Sequence, residues 1–185
     1  MVCSDSLIMS EKVSPSNPFN GKHLQVYIED SRYGPYEIVR TSSGHGVGVI
    51  AVSGRDVLLV QQERPAVRKT LWEFPGGAAD NGDEALAEDA ARELSEEANV
   101  FVNPEDLVPV ESYHGMSSMC DIESHKFFVR LPDDFDRSVV KFQDSELQGI
   151  GWFDIETLFD GFKNGDMQFS GIVGGLLKAQ LLGLI

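Results

Sequence analysis

Along this chain the apolar positions fall into runs of two kinds, and each kind predicts a different element. Residues 47–52 and 57–61 are short, almost continuous apolar stretches separated by Ser53-Gly54-Arg55-Asp56. Runs of this length around a tight turn predict a buried β-hairpin, entered through Gly44-His45-Gly46. Weaker patterning at 22–29 and 36–41, joined at Tyr33-Gly34-Pro35, predicts a second pair of strands. A short strand is expected through Leu71 and Phe74, and longer ones over 107–113, 124–131 and 149–153, with Trp152 packed inward.

Helical spacing governs the other stretches. Ala87, Ala90, Ala91, Leu94 and Ala98 recur so as to line one face at about 100° per residue, an apolar stripe suited to packing on a sheet. Asp154 is placed to cap a second helix, Gly165 interrupts it, and Ile172, Leu176, Leu177 and Leu181 mark a last helix running to Leu182. Residues 1–20, rich in Ser, Pro and Asn, read as a flexible tail. Residues 21–185 read as one domain. Strands on both sides of a central helix predict an α+β or layered α/β/α architecture.

Charge narrows the function. Fifteen Lys and Arg against 30 Asp and Glu give a net charge of −15 over 185 residues. That balance argues against nucleic acid, whose phosphate backbone needs clustered cations. It suits an anionic substrate only where metal neutralises the site locally. Cys3 and Cys120 are the only cysteines, without CxxC or zinc-finger spacing, so a reducing cytoplasm is the expected setting. No stretch reads as a signal peptide or a bilayer span, so no membrane partner is expected.

The central helix breaks a local rule. Glu93, Glu96 and Glu97 fall within an arc of roughly 100° near its C-terminal end. Like charges at this spacing repel, and carboxylates there oppose the helix dipole. A solvated acidic face is one reading; a site for a hard divalent cation is the other, since Mg²⁺ and Mn²⁺ take oxygen ligands.

The order of residues favours the second. Gly76-Gly77, then Glu84, seven residues, and Arg92-Glu93-Leu94-Ser95-Glu96-Glu97-Ala98-Asn99-Val100 resembles the Nudix box, Gly-x5-Glu-x7-Arg-Glu-U-x-Glu-Glu-x-Gly-U with U aliphatic. Asn99 replaces the last glycine, and asparagine also tolerates the left-handed conformation that ends helices. The interval from Gly77 to Glu84 is one residue longer than in the family. We place the insertion in the loop 78–83, because an extra helical residue would turn everything after it by about 100°.

Outside the box the chain is similar to ADP-ribose and nucleotide-sugar pyrophosphatases of the Nudix family. Leu58–Pro65 with Leu71–Gly77, Tyr113-His114-Gly115 with Glu123, and Phe162–Met167 before an apolar helix carry the likeness. The resemblance implies an α/β/α sandwich with a mixed sheet, and a homodimer in which residues 22–41 shape the partner's site. Tyr27, Tyr33 or Tyr36 would stack on a base there, or else be strand core.

The resemblance also implies water-mediated cleavage of a diphosphate linkage, with Mg²⁺ or Mn²⁺ held by Glu93, Glu96 and Glu97 and those carboxylates pinned by Arg92. Gly76 and Gly77 shape the loop over the metal. Arg64, within the basic segment 62–70, is expected to hold phosphate, unless it simply pairs with one of the many acids. Glu146 or Glu123 matches where related enzymes keep a general base, with Glu93 as the fallback. His125 shares a strand face with Glu123 if that strand starts early. The expected substrate is ADP-ribose or another nucleoside diphosphate sugar. Hydrolysis of nucleoside triphosphates or other diphosphate metabolites is a second reading, and a non-catalytic ligand sensor a third.

Overall fold

The computed structural model describes residues 16–21, 23–142, 147–165 and 171–185. Strands β1 (Ser16–Asn20), β2 (Leu24–Ser31) and β3 (Gly34–Thr41) form a small antiparallel sheet. The tail expected through Asn20 therefore gives way to a strand at Ser16. The open edge of β2 offers backbone donors and acceptors that this polar, aperiodic segment satisfies. The β2–β3 turn is tighter than the pattern predicts, because Gly34 pairs with Ser31.

The main sheet follows the order β10-β5-β4-β9-β8. It is built from β4 (His45–Ser53), β5 (Asp56–Arg64), β8 (Val108–Tyr113), β9 (Glu123–Arg130) and β10 (Leu147–Asp154). Strands β4 and β9 run parallel while the other neighbours are antiparallel, so the sheet is mixed. Gly54, with φ 58°, supplies the left-handed residue of the β4–β5 turn.

Side chains of β4 alternate between two cores. Val47, Val49 and Ala51 pack with Ala90, Leu94 and Ala98 of α1 (Leu86–Ala98). Ile50 and Val52 pack with Leu158 of α2 (Ile155–Asn164) and with Ile172 and Leu176 of α3 (Ile172–Leu181). Helices thus cover both faces, giving the α/β/α sandwich. Each fully buried Val, Leu or Ile contributes about 1.5–3 kcal/mol through burial. On α3 the small residues Gly175 and Ala179 face inward with Ile172 and Leu176, while Leu177 and Leu181 are exposed. Gly175 brings the helix close to Phe74 and Ile50, which a Cβ there would meet at 3.0 and 3.2 Å. Among the described residues no helix is long and apolar enough to cross a membrane.

The sheet forks. β4 and β5 pair only at Val52↔Val57 and Ser53↔Asp56. Beyond that point β6 (Lys69–Glu73) pairs with β5, and β7 (Gly76–Ala78) pairs with β4 at Gly46–Gly48. The polar segment 62–70 is thus the tip of a hairpin, with Arg64 opposite Lys69 and Arg68 in the left-handed region. The fork opens the sheet where a ligand can enter.

Asp154 caps α2, its carboxylate accepting from Thr157 N at 2.9 Å. Asn99 ends α1 in the left-handed region (φ 56°, ψ 33°), and its Nδ2 donates to Val139 O at 2.9 Å. Asn99→Ala should lower stability by about 1–2 kcal/mol, since a Cβ without the amide adds strain and loses the bond. Asn99→Gly should cost less, because it relieves the strain. Urea denaturation of the two variants checks the order.

Candidate active site

Helix α1 lies against β7, and two glycines set how closely. A Cβ on Gly76 would stand 2.1 Å from Val47 O and 2.7 Å from Gly48 Cα. A Cβ on Gly77 would meet the Glu93 carboxylate at 2.7 Å. The Gly76 N–H donates to Glu97 Oε2 at 2.8 Å. Two carboxylates of the helix therefore rest directly on strand backbone.

Their environments differ. Glu97 is buried, with 4% of its surface exposed, and the Gly76 amide offsets part of its desolvation. Burial pushes the Glu93 carboxyl above its ordinary range; Arg92 opposes the shift, while Glu96 and Asp80 add to it. Glu96 is exposed and held by Arg92 Nη1 at 2.8 Å. Arg92 Nη2 lies 2.8 Å from Glu93 and 3.4 Å from Asp89, and it donates to Ala78 O at 3.3 Å. Arg92 thus braces the carboxylates from the side rather than from the cleft.

Asp89 carries the inserted loop. Its side chain is fully buried and accepts from Asn81 N at 3.1 Å and Asn81 Nδ2 at 2.7 Å. Asn81, in the loop 78–83 where we place the extra residue, is thereby tied to α1. Glu84 sits exposed in a single 3₁₀ turn before it.

A cleft of about 500 Å³ opens at the fork. Gly76, Gly77 and Ala78 form one wall, Phe74, Lys126 and Ile172 another, with Tyr113, Ser124 and His45 nearby. The wall formed by β7 separates the cleft from Glu93 and Glu97, which rest on the same backbone and are not among the lining residues. Apolar rings, hydroxyls and cations line one concavity.

A family model for the NUDIX domain matches residues 43–170. The chain belongs to the Nudix family. No curated protein matches it by sequence. One solved structure, that of an ADP compounds hydrolase, superposes with a TM-score of 0.66 over 92% of this chain and 91% of its own, at 14% identity. That likeness speaks to the shared fold, and family membership makes the chain a Nudix-type pyrophosphohydrolase.

Within this Nudix domain the expected residues separate into groups. Glu93 and Glu97 lie on Gly77 and Gly76 where α1 meets β7, and Arg92 ties Glu93 to the exposed Glu96. Carboxylate oxygens are what a hard divalent cation takes, but among the described residues the group whose ligand atoms already converge is His45, Glu123 and His125, not these three glutamates. Arg64 lines the cleft but pairs with Glu73, Nε to Oε1 at 2.9 Å. Glu123 stands with His125, as the strand alternation predicts, and also with His45. Glu146 lies outside the described residues.

Sequence reasoning missed Asp89 and Lys126. Lys126 sits mid-strand on the face opposite α1, in room left by Gly48, whose Cβ would meet its Nζ at 2.7 Å. Burial lowers its pKa, with Glu111 and Glu73 opposing the shift. A lysine set directly against the apolar run Phe127–Val129, within a chain poor in cations, was the available signal.

The two glycines predict different outcomes. Gly76→Ala should destabilise the fold by about 3 kcal/mol, because its Cβ collides with backbone. Gly77→Ala should fold within about 1 kcal/mol of the parent yet bind Mn²⁺ more weakly, because only the mobile end of Glu93 must move. Urea midpoints and Mn²⁺ titration separate the two. Lys126→Met should raise stability by about 1 kcal/mol and weaken binding of a phosphate-bearing ligand, measured by denaturation and calorimetry.

Proposed function

We propose that the protein hydrolyses the diphosphate linkage of ADP-ribose or a related nucleoside diphosphate sugar, using Mg²⁺ or Mn²⁺. The observation that carries this reading is the seat of Glu93 and Glu97 on Gly77 and Gly76, beside a cleft lined by Arg64 and Lys126.

Glu93, Glu96 and Glu97 hold the cation, and Arg92 keeps them spaced for it. Once bound, the ion supplies neutralisation of phosphate oxygens and orientation of the attacking water. Arg64 and Lys126 place positive charge along the cleft, where a diphosphate would lie. Arg64 can exchange its half-exposed partner Glu73 for a phosphate oxygen at small cost. Phe74 and Tyr113 offer surface to a base, and Ser124 a hydroxyl to a sugar. The resemblance to an ADP compounds hydrolase favours an adenosine diphosphate derivative over a triphosphate.

The water's proton goes to a carboxylate. We assign this role to Glu146 on the family resemblance, because Glu123 faces two imidazoles at 4.0 and 3.9 Å. A homodimer is part of the same proposal. The small sheet exposes Leu24, Ile28 and Tyr36, and Leu24 also lines the cleft. A net charge of −15 disfavours nucleic acid, and the free thiol of Cys120 suits a reducing cytoplasm.

Incubation with ADP-ribose, sugar nucleotides, dinucleotides and nucleoside triphosphates, with Mg²⁺ or Mn²⁺, tests the reading. AMP with ribose 5-phosphate is the expected product pair. A nucleoside monophosphate with pyrophosphate would favour the triphosphate reading, and tight binding without turnover a sensor. Glu97→Gln should fold and lose activity by about 100-fold or more. Undiminished turnover in that variant would remove Glu97 from the site.

A further inference from the structure

One cluster of side chains lies outside the machinery just described. His45 opens β4, Glu123 opens β9, and His125 follows two residues later. The two strands pair in parallel, with His45 opposite Glu123 and Val47 opposite His125. Alternation puts all three side chains on the α1 face, in line with Val47, Val49, Phe127 and Val129 of that core. They come from the two central strands of the sheet rather than from loops.

Their donor atoms converge. His45 Nδ1 and His125 Nε2 are 3.1 Å apart, and Glu123 Oε2 lies 4.0 Å from the first and 3.9 Å from the second. A triangle with these sides has a point about 2.2 Å from all three corners. That distance agrees with zinc–nitrogen bonds of about 2.0–2.1 Å and zinc–oxygen bonds of about 2.0–2.2 Å. In the structure the two rings share a hydrogen bond between these nitrogens, which a bound ion would replace.

The geometry points to a second metal site, formed by His45, Glu123 and His125, for a transition-metal ion of the Zn²⁺ class. Two imidazole nitrogens and one carboxylate suit such an ion, whereas Mg²⁺ prefers oxygen alone. The all-oxygen set of Glu93, Glu96 and Glu97 has the opposite preference, so the two sites sort ions by chemistry. Three protein ligands leave a fourth position open. His45 lines the cleft, so a water or a substrate oxygen can occupy that position.

The backbone around the triad is already fixed. Glu123 N donates to Gly44 O at 3.0 Å, and Ala79 N donates to His45 O at 3.0 Å. Binding therefore requires little ordering of the chain. The same Ala79 contact links the triad to the segment that leads into the box helix. The inference does not depend on which substrate the enzyme takes, nor on its turnover.

The test uses untagged full-length protein in buffer with excess Mg²⁺, which occupies oxygen sites. Calorimetric titration with Zn²⁺ should give one tight equivalent per chain. Co²⁺ in its place should give visible d–d bands of a four- or five-coordinate nitrogen and oxygen site. His125→Ala and Glu123→Gln should each weaken Zn²⁺ by at least about 100-fold, as losing a direct ligand exceeds the loss of an outer partner. Glu97→Gln and His114→Ala should leave this equivalent in place. Circular dichroism confirms that each variant is folded, and the Co²⁺ spectrum of the parent protein decides the matter where one is not. The proposal is overturned if Zn²⁺ fails to bind in the presence of Mg²⁺. It is equally overturned if Co²⁺ gives only the weak octahedral spectrum, or if the equivalent vanishes with Glu97→Gln but survives His125→Ala.

Discussion

The structure depends on one close contact, helix α1 laid on the two glycines of β7. Any side chain at Gly76 would drive into the carbonyl of Val47, and any at Gly77 would strike Glu93. Without those hydrogens-only positions the helix would stand farther off, and its carboxylates would face solvent instead of strand backbone. Everything polar nearby follows from that approach. Glu97 is buried with the Gly76 amide against it, and Glu93 is partly desolvated where its carboxylate lies over Gly77. The repulsion among them is contained by Arg92 on one side, and Arg92 is itself held by the buried Asp89.

The charge distribution explains how so acidic a protein can receive an anion. Cations are few, and two of them, Arg64 and Lys126, line the cleft that opens at the fork between β4 and β5. Neither is left bare: Arg64 has Glu73, and Lys126 feels Glu73 and Glu111. Carboxylates still outnumber cations around the site, so a divalent ion would be needed to make it attractive to phosphate. Stability is given up at Lys126 and in the glutamate arc, where a protein selected for stability alone would place apolar or basic residues.

Much of this was legible in the chain because it is local. The apolar runs of β4 and β5 flank a four-residue turn signal, and the stripe from Ala87 to Ala98 has a single period. Asp154 caps a helix and Asn99 ends one through their own backbone preferences. The glutamate arc was visible because three residues in one helix have fixed angles. What stayed hidden depends on residues far apart in sequence. The fork arises because β7 displaces β5 as partner of β4, which no local pattern encodes. The meeting of His45 with His125 spans 80 residues and rests on a parallel pairing. Lys126 was hidden for the same reason, since its room is made by Gly48 on a neighbouring strand.

The central claim is that the glycine-backed glutamates grip a divalent ion beside a phosphoanhydride. Anomalous diffraction from crystals grown with Mn²⁺ and a non-hydrolysable ADP-ribose analogue tests it most directly. The account predicts a manganese peak ligated by oxygens of Glu93, Glu96 or Glu97 and by the analogue's diphosphate, over Gly76 and Gly77. A fully ordered analogue with manganese bound elsewhere, and those three carboxylates touching neither, would contradict it.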